Sequence, residues 1–172
     1  DCTLRDGGYY NKWDFDRKIV ERYLNGVKNA NIDVVELGFR FLPTNTFMGP
    51  YAYTTDDFIN QLDLPEGPIY SVMINGKEFI ENSDGSESSI SKLFQKKENS
   101  PVSLVRIAIN FNKILESESI AKQLKDMGYL IGLNMMQAHG KSEEEYIETA
   151  KRISSWGVVD VLYFADSLGN MI

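Results

Sequence analysis

The chain has 172 residues, 42% hydrophobic and 25% charged, enough to bury the core of one ordinary globular domain. Eighteen Lys and Arg against 25 Asp and Glu leave a net charge of −7, which argues against nucleic acid, since phosphate binding needs clustered cations and the longest basic run is Lys96-Lys97. Cys2 stands alone in this sequence, so no disulfide can form within it and a reducing cytoplasm is the expected setting; no run approaches the roughly 18 apolar residues of a membrane span, and no signal peptide is expected.

In chain order, apolar and β-branched runs alternate with helical patterns. Strands are predicted at Cys2–Leu4, Ile32–Phe39, Ile69–Ile74, Val102–Ile109, Tyr129–Met136 and Val158–Ala165. The first helix, Asp14–Asn29, starts at an aspartate cap and puts Ile19, Tyr23, Leu24 and Val27 on one face. Thr54 or Thr55 caps a short helix that runs through Leu62. Ser86–Lys97 carries Ile90, Leu93 and Phe94, after the polar loop Glu81–Ser89. Ser117–Met127 ends at Gly128, and Ser142–Trp156 opens on a Ser-Glu-Glu-Glu capping box and stops at Gly157. The long connection Arg40–Thr55 is either a lid or an insertion packed by its own aromatics.

A helix in every interval between strands implies right-handed crossovers and a parallel sheet. No G-x-G-x-x-G follows the first strand, which removes the main support for a nucleotide-binding open sheet. Polar groups instead fall at strand ends: Arg5-Asp6, Glu36, Asn75, Asn110, Gln137 and Asp166-Ser167. A (β/α)8 TIM barrel gathers such positions on one catalytic face. The expected architecture is therefore a partial TIM-barrel domain over residues 1–172, cut at both ends, with about six βα units and without strands seven and eight. Its two unpaired strand edges would favour homo-oligomers.

Asp6 directly follows the first predicted strand, where a carboxylate suits a hard divalent cation. Arg5 offers forked donors to a carboxylate or a developing enolate oxygen, and Gly7-Gly8 let a ligand approach the backbone. The competing explanation is an Arg-Asp turn pair. Glu36, alone in an apolar run, needs either a polar cavity or an ion pair with Arg5 or Arg40. Turn chemistry alone accounts for Asp166, Ser167 and Gly169. His139, the only histidine, fits a loop better than a ligand, and Met135-Met136 fit barrel packing.

The segments "DCTLRDGGY", "VVELGF", "IGLNMMQAHGKSEEEYIETAKRISSWG" and "VLYFADSLGNM" together resemble the HMGL-like (DRE-TIM) metallolyases. The resemblance is to their pyruvate-aldolase branch, that of 4-hydroxy-2-oxovalerate aldolase. It implies a class II-type lyase with a divalent ion, Mn²⁺ or Mg²⁺, with Zn²⁺ as a further candidate. Arg5 would hold the 2-oxo oxygen and stabilise the pyruvate enolate, Asp6 would bind the metal, and Ser167 and Glu36 would contact substrate. The remaining ligands in that family are an H-x-H pair on a seventh strand, past Ile172. Tyr9 stands where the aldolases have a histidine base. A phenol with a pKa near 10 is a poor base at neutral pH, so Tyr9 would act through water or by positioning substrate. His139 falls one residue later than the histidine of the family's M-M-S-H segment.

The expected reaction is cleavage of a 4-hydroxy-2-oxo acid to pyruvate and an aldehyde, or its reverse. Lys77 is the only lysine at a predicted strand end, which disfavours a Schiff-base aldolase. Alternatives are an acetyl-CoA-dependent Claisen-type synthase of the isopropylmalate or homocitrate synthase kind, or an inactive barrel used for binding or assembly. The expected partner is a small 2-oxo acid, with no nucleic acid and no membrane; some relatives add a dehydrogenase that takes up the product.

Overall fold

The structure, a computed structural model, describes residues 1–165. The chain folds as α/β with a five-stranded parallel sheet of order β1-β2-β3-β4-β5: β1 Val34–Phe39, β2 Ile69–Asn75, β3 Leu104–Asn110, β4 Leu130–Met136 and β5 Val161–Phe164. Each lies inside or within a residue of its predicted run. The chain forms two compact units. One comprises Asp1–Ile74 with Lys97–Leu104, and the other Asn75–Lys96 with the chain from Val105 on.

In the first unit β1 pairs with β2 in register Val34↔Ile69, Val35↔Tyr70 and Glu36↔Ser71, and the register shifts between Glu36 and Phe39. The strand predicted at Cys2–Leu4 is instead the start of α1, Thr3–Asn11. Only Asp1 keeps strand character. Its N donates to Val34 O at 2.6 Å and its O accepts from Glu36 N at 2.8 Å, the parallel pattern opposite Val35. Helix α1 therefore leaves toward the carboxyl end of β1. With Gly7 and Gly8 inside nine residues, its propensity is poor by about 2 kcal/mol relative to alanine, so tertiary contacts must hold it.

Helix α2, Arg17–Asn29, starts two residues later than predicted because Asp16, not Asp14, caps it: Asp16 Oδ1 accepts from Lys18 N at 2.9 Å and Ile19 N at 3.2 Å. Its buried face is Val20, Leu24 and Val27, and Ile19 is 53% exposed, contrary to the predicted face. Thr55 caps α3, Asp56–Ile59, as predicted. The loop between β1 and α3 takes the insertion reading: a 3-10 turn at Pro50–Ala52 buries Tyr51 and Ala52, and Tyr51 packs edge-on against Phe15 at 5.5 Å and Phe58 at 4.9 Å. A buried ion pair closes the base of the loop. Arg40 Nη2 donates to Asp56 Oδ1 at 2.7 Å and to Thr54 O at 2.6 Å, and Ser100 Oγ donates to the same Asp56 oxygen at 2.7 Å.

In the second unit β4 and β5 run parallel in register Gly132↔Val161 through Met135↔Phe164. A short helix at the end of β2, α4 Gly76–Ile80, was not predicted, and α5 spans Ser86–Leu93, shorter than expected. Helix α6, Glu118–Asp126, follows a 3-10 segment Phe111–Ser117 and buries Ile120, Ala121 and Leu124. The two larger side chains contribute about 1.5–3 kcal/mol each. Helix α7, Glu143–Ser155, carries the predicted capping box between Ser142 and Glu145. The core of this unit includes Ile107, Ile109, Ile131, Leu133 and Met135. No helix among the described residues is long and apolar enough to cross a membrane.

Candidate active site

Helix α1 and β1 bring together four of the five predicted site residues. Arg5 lies between two carboxylates: its Nε is 2.5 Å from Glu36 Oε1, and its Nη1 is 2.6 Å from Asp6 Oδ1. The Glu36 side chain is 2% exposed and that of Arg5 13%, so this pair is shielded from water, whereas Asp6 is 57% exposed. Glu36 therefore takes the ion-pair reading, with Arg5 rather than Arg40 as partner. Burial works against the guanidinium's charge, but the charge and hydrogen bond of Glu36, with Asp6 behind it, raise its pKa further.

Asp6 turns its other oxygen to Cys2, whose Sγ donates at 3.2 Å. Burial, and then the hydrogen bond to Asp6, push the Cys2 thiol up, so it stays a donor rather than a thiolate at neutral pH. Asp6, Gly7, Tyr9 and Tyr10 line an open cleft of about 780 Å³ together with Cys2 and Thr3, within the size range of small-molecule sites. Tyr9 is 63% exposed, and its ring meets Trp13 at 4.9 Å and Phe39 at 6.0 Å, both edge-on. Phe39 also lies under the Arg5 guanidinium at 5.6 Å and stacks on Phe41 at 4.3 Å. Ser167 lies outside the described residues, as do Asp166 and Gly169.

These groups fit one ligand of a divalent-metal site, not a whole one. Asp6 has the right chemistry, an exposed carboxylate. No three His, Cys, Asp or Glu among the described residues come together as a cage. His139 is exposed in the loop after β4, as a surface histidine should be.

Elsewhere, two of the predicted strand-end positions meet in the second unit. Asn75 and Asn110 line a cavity of about 160 Å³ with Lys77, Lys113 and Met136. Lys113 pairs with Glu81 at 2.8 Å, and Lys77 is 57% exposed and 3.8 Å from the same carboxylate. Such a solvated, paired ammonium lacks the desolvated pocket that Schiff-base lysines use. On the sheet of this unit, Arg106 donates to Asn134 Oδ1 at 3.2 Å and lies 4.5 Å over Tyr163; neither side chain was singled out in the sequence.

Trp13, Phe39 and Phe41 were also missed. The available signal was an aromatic shortly after a double glycine, which a helix can accommodate only where a ring needs the space.

No family model matches the chain. It is 23% identical over 180 aligned residues to a 4-hydroxy-2-oxovalerate aldolase from Geobacillus genomosp. 3, covering 100% of this chain and 49% of that protein. It matches the crystal structure of the N-terminal domain of a proposed aldolase from Bacteroides vulgatus with a TM-score of 0.75 and 31% identity, over 99% of this chain and 55% of that one. The chain thus spans about half the length of these relatives. What the likenesses show is an α/β parallel-sheet fold shared with the N-terminal domain of one such protein, and a sequence similar to proteins named aldolases.

Proposed function

We propose that this chain is the part of a divalent-metal-dependent, class II-type aldolase that carries its charge-stabilising arginine and one metal ligand. The reaction is retro-aldol cleavage of a 4-hydroxy-2-oxo acid to pyruvate and an aldehyde, or its reverse. The observation that carries this reading is the arrangement between α1 and β1: a buried carboxylate fixes Arg5, and an exposed one, Asp6, stands beside it at an open cleft. Likeness to proteins named aldolases supports the reaction class.

As the 4-hydroxyl passes its proton to a water in the cleft and becomes the aldehyde carbonyl, the C3–C4 bond breaks and leaves its electron pair on the pyruvate fragment, as negative charge on the 2-oxo oxygen; return of a proton to C3 completes pyruvate. Arg5 meets that charge with a guanidinium that Glu36 already holds in place, so little reorganisation accompanies the reaction. Bound at Asp6, a divalent cation would supply Lewis-acid polarisation of the 2-oxo group. Tyr9, at the cleft and braced by Trp13, would orient the substrate or a water rather than act alone as base. The aromatic face of Phe39 keeps the far side of Arg5 out of water and raises the worth of its charge.

The test is pyruvate release by the full-length protein from a panel of 4-hydroxy-2-oxo acids. Arg5→Ala should lower kcat/KM by a factor on the order of 10²–10³, the usual loss when one stabilising donor is removed. Turnover unchanged in Arg5→Ala would remove that residue from the chemistry. Thiol release from acetyl-CoA with a 2-oxo acid, in place of pyruvate formation, would turn the reading to a Claisen-type synthase.

A further inference from the structure

Arg5 and Asp6 sit on a helix that its own sequence supports poorly, so something outside it must set their place. Asp1 contributes by accepting from Thr3 N at 2.8 Å. The closer hold comes from Trp13. Lys12 and Trp13 both adopt left-handed backbone, with φ of 58° and 59°, and this turns the indole back onto α1. The ring lies so near Gly8 that a Cβ there would fall 1.9 Å from its Cδ1. The indole Nε1–H donates to the Arg5 carbonyl at 2.9 Å.

Two successive non-glycine residues with positive φ persist only where their surroundings over-determine them. The loop between β1 and α3 does so here. Gly49 N donates to Lys12 O at 2.7 Å, and Tyr51 N donates to Trp13 O at 3.4 Å. A Cβ at Gly49 would stand 2.3 Å from Trp13 O, so only glycine lets the loop approach this closely. Edge-on contacts to Tyr9, Phe39 and Phe41, at 4.9, 5.6 and 5.5 Å, complete the seat of the ring.

We propose that Trp13 is a positioning residue for Arg5, fixing its backbone through the indole N–H so that the guanidinium stands ready between Glu36 and the reacting oxygen. The loop acts in the same device, because Gly49 holds the turn that aims the indole. The inference rests on the reading of Arg5 as the charge-stabilising group.

Two variants of the full-length protein test it. Trp13→Phe keeps a ring and removes the N–H. Gly8→Ala keeps the indole and displaces it. The first readout is the NMR signal of the Arg5 Nε–H, identified by its loss in Arg5→Lys, which reports the position of the guanidinium without reference to catalysis. Both variants should shift or broaden it. In the second readout, kcat for pyruvate release should fall about tenfold with KM changed less than about twofold, as expected when only alignment suffers. The Trp13→Phe loss should disappear in an Arg5→Lys background, because the two act through one group. An unchanged Arg5 signal in the folded variants overturns the proposal whatever the activity. A shifted signal in a protein whose wild type releases no pyruvate upholds the positioning and overturns the aldolase reading instead. Should Gly8→Ala fail to fold, Trp13→Phe alone decides.

Discussion

Replacing Glu36 by glutamine keeps the shape of the side chain and removes its charge. In the native protein this carboxylate is 2% exposed and lies 2.5 Å from Arg5 Nε. Breaking one side of a fully buried ion pair costs about 3–5 kcal/mol. Here the orphaned guanidinium retains Asp6 at 2.6 Å, but Asp6 is 57% exposed and its attraction is screened by water. The loss should therefore approach that of a charge-assisted hydrogen bond plus part of the desolvation cost, about 2–4 kcal/mol. At about 2–4 °C per kcal/mol for a domain of this size, Tm should fall by roughly 4–16 °C. Equilibrium unfolding in urea measures the loss directly, with an unchanged m-value showing that the unfolded state is not responsible. The double variant with Arg5→Met closes the cycle: once the cation is gone, Glu36→Gln should cost less than about 1 kcal/mol. Should Glu36→Gln cost under about 0.5 kcal/mol on its own, Glu36 does not hold Arg5, and the electrostatic account of the site fails.

Three further outcomes follow from the same structure. Asp56→Ala strands Arg40, whose side chain is 1% exposed, and should destabilise the protein by about 3–5 kcal/mol in urea unfolding; pairing it with Arg40→Met should recover much of that. Ser142→Ala removes the capping box of α7 and should cost about 1 kcal/mol by the same assay. Burial opposes ionisation of Asp160, but the hydrogen bond and charge of Lys125 and the Ile131 N–H outweigh it, and the carboxyl lies below its usual range. Its contribution is thus present above the unfolded aspartate value near 3.9 and is lost as pH falls through the lower folded value. Asp160→Asn should accordingly flatten the acid limb of the stability–pH curve below about pH 4 and leave its neutral limb parallel to that of wild type.

Most of the sheet is legible in the sequence because strands β1 to β4 are largely apolar runs interrupted by single polar residues, as parallel strands covered on both faces require. The capping signals at Thr55 and Ser142 were equally local and equally readable. The first element was misread for a physical reason. "TLRDGGYY" has weak helix propensity and follows one residue with real strand pairing, Asp1, so local preference pointed away from the helix that Trp13 imposes. Ile19 falls off the buried face because that face is the stripe Val20, Leu24 and Val27, at spacings of four and three residues, whereas Ile19 aligns with Tyr23 at its margin. Of the candidate site, residue types and strand-end placement suggested Arg5, Asp6 and Glu36. Which arginine takes Glu36 was a question of tertiary distance that no spacing could answer. The partner of Arg40, Asp56, lies across the loop and was not foreseen.

The most direct test of the central claim is the metal dependence of pyruvate formation by the full-length protein. After treatment with chelator, the protein should release pyruvate from a 4-hydroxy-2-oxo acid only when Mn²⁺ or Mg²⁺ is restored, and Asp6→Ala should abolish that response while the fold remains intact. Pyruvate release that survives both chelation and Asp6→Ala would contradict the account, leaving Arg5 and Asp6 as a structural ion pair within α1.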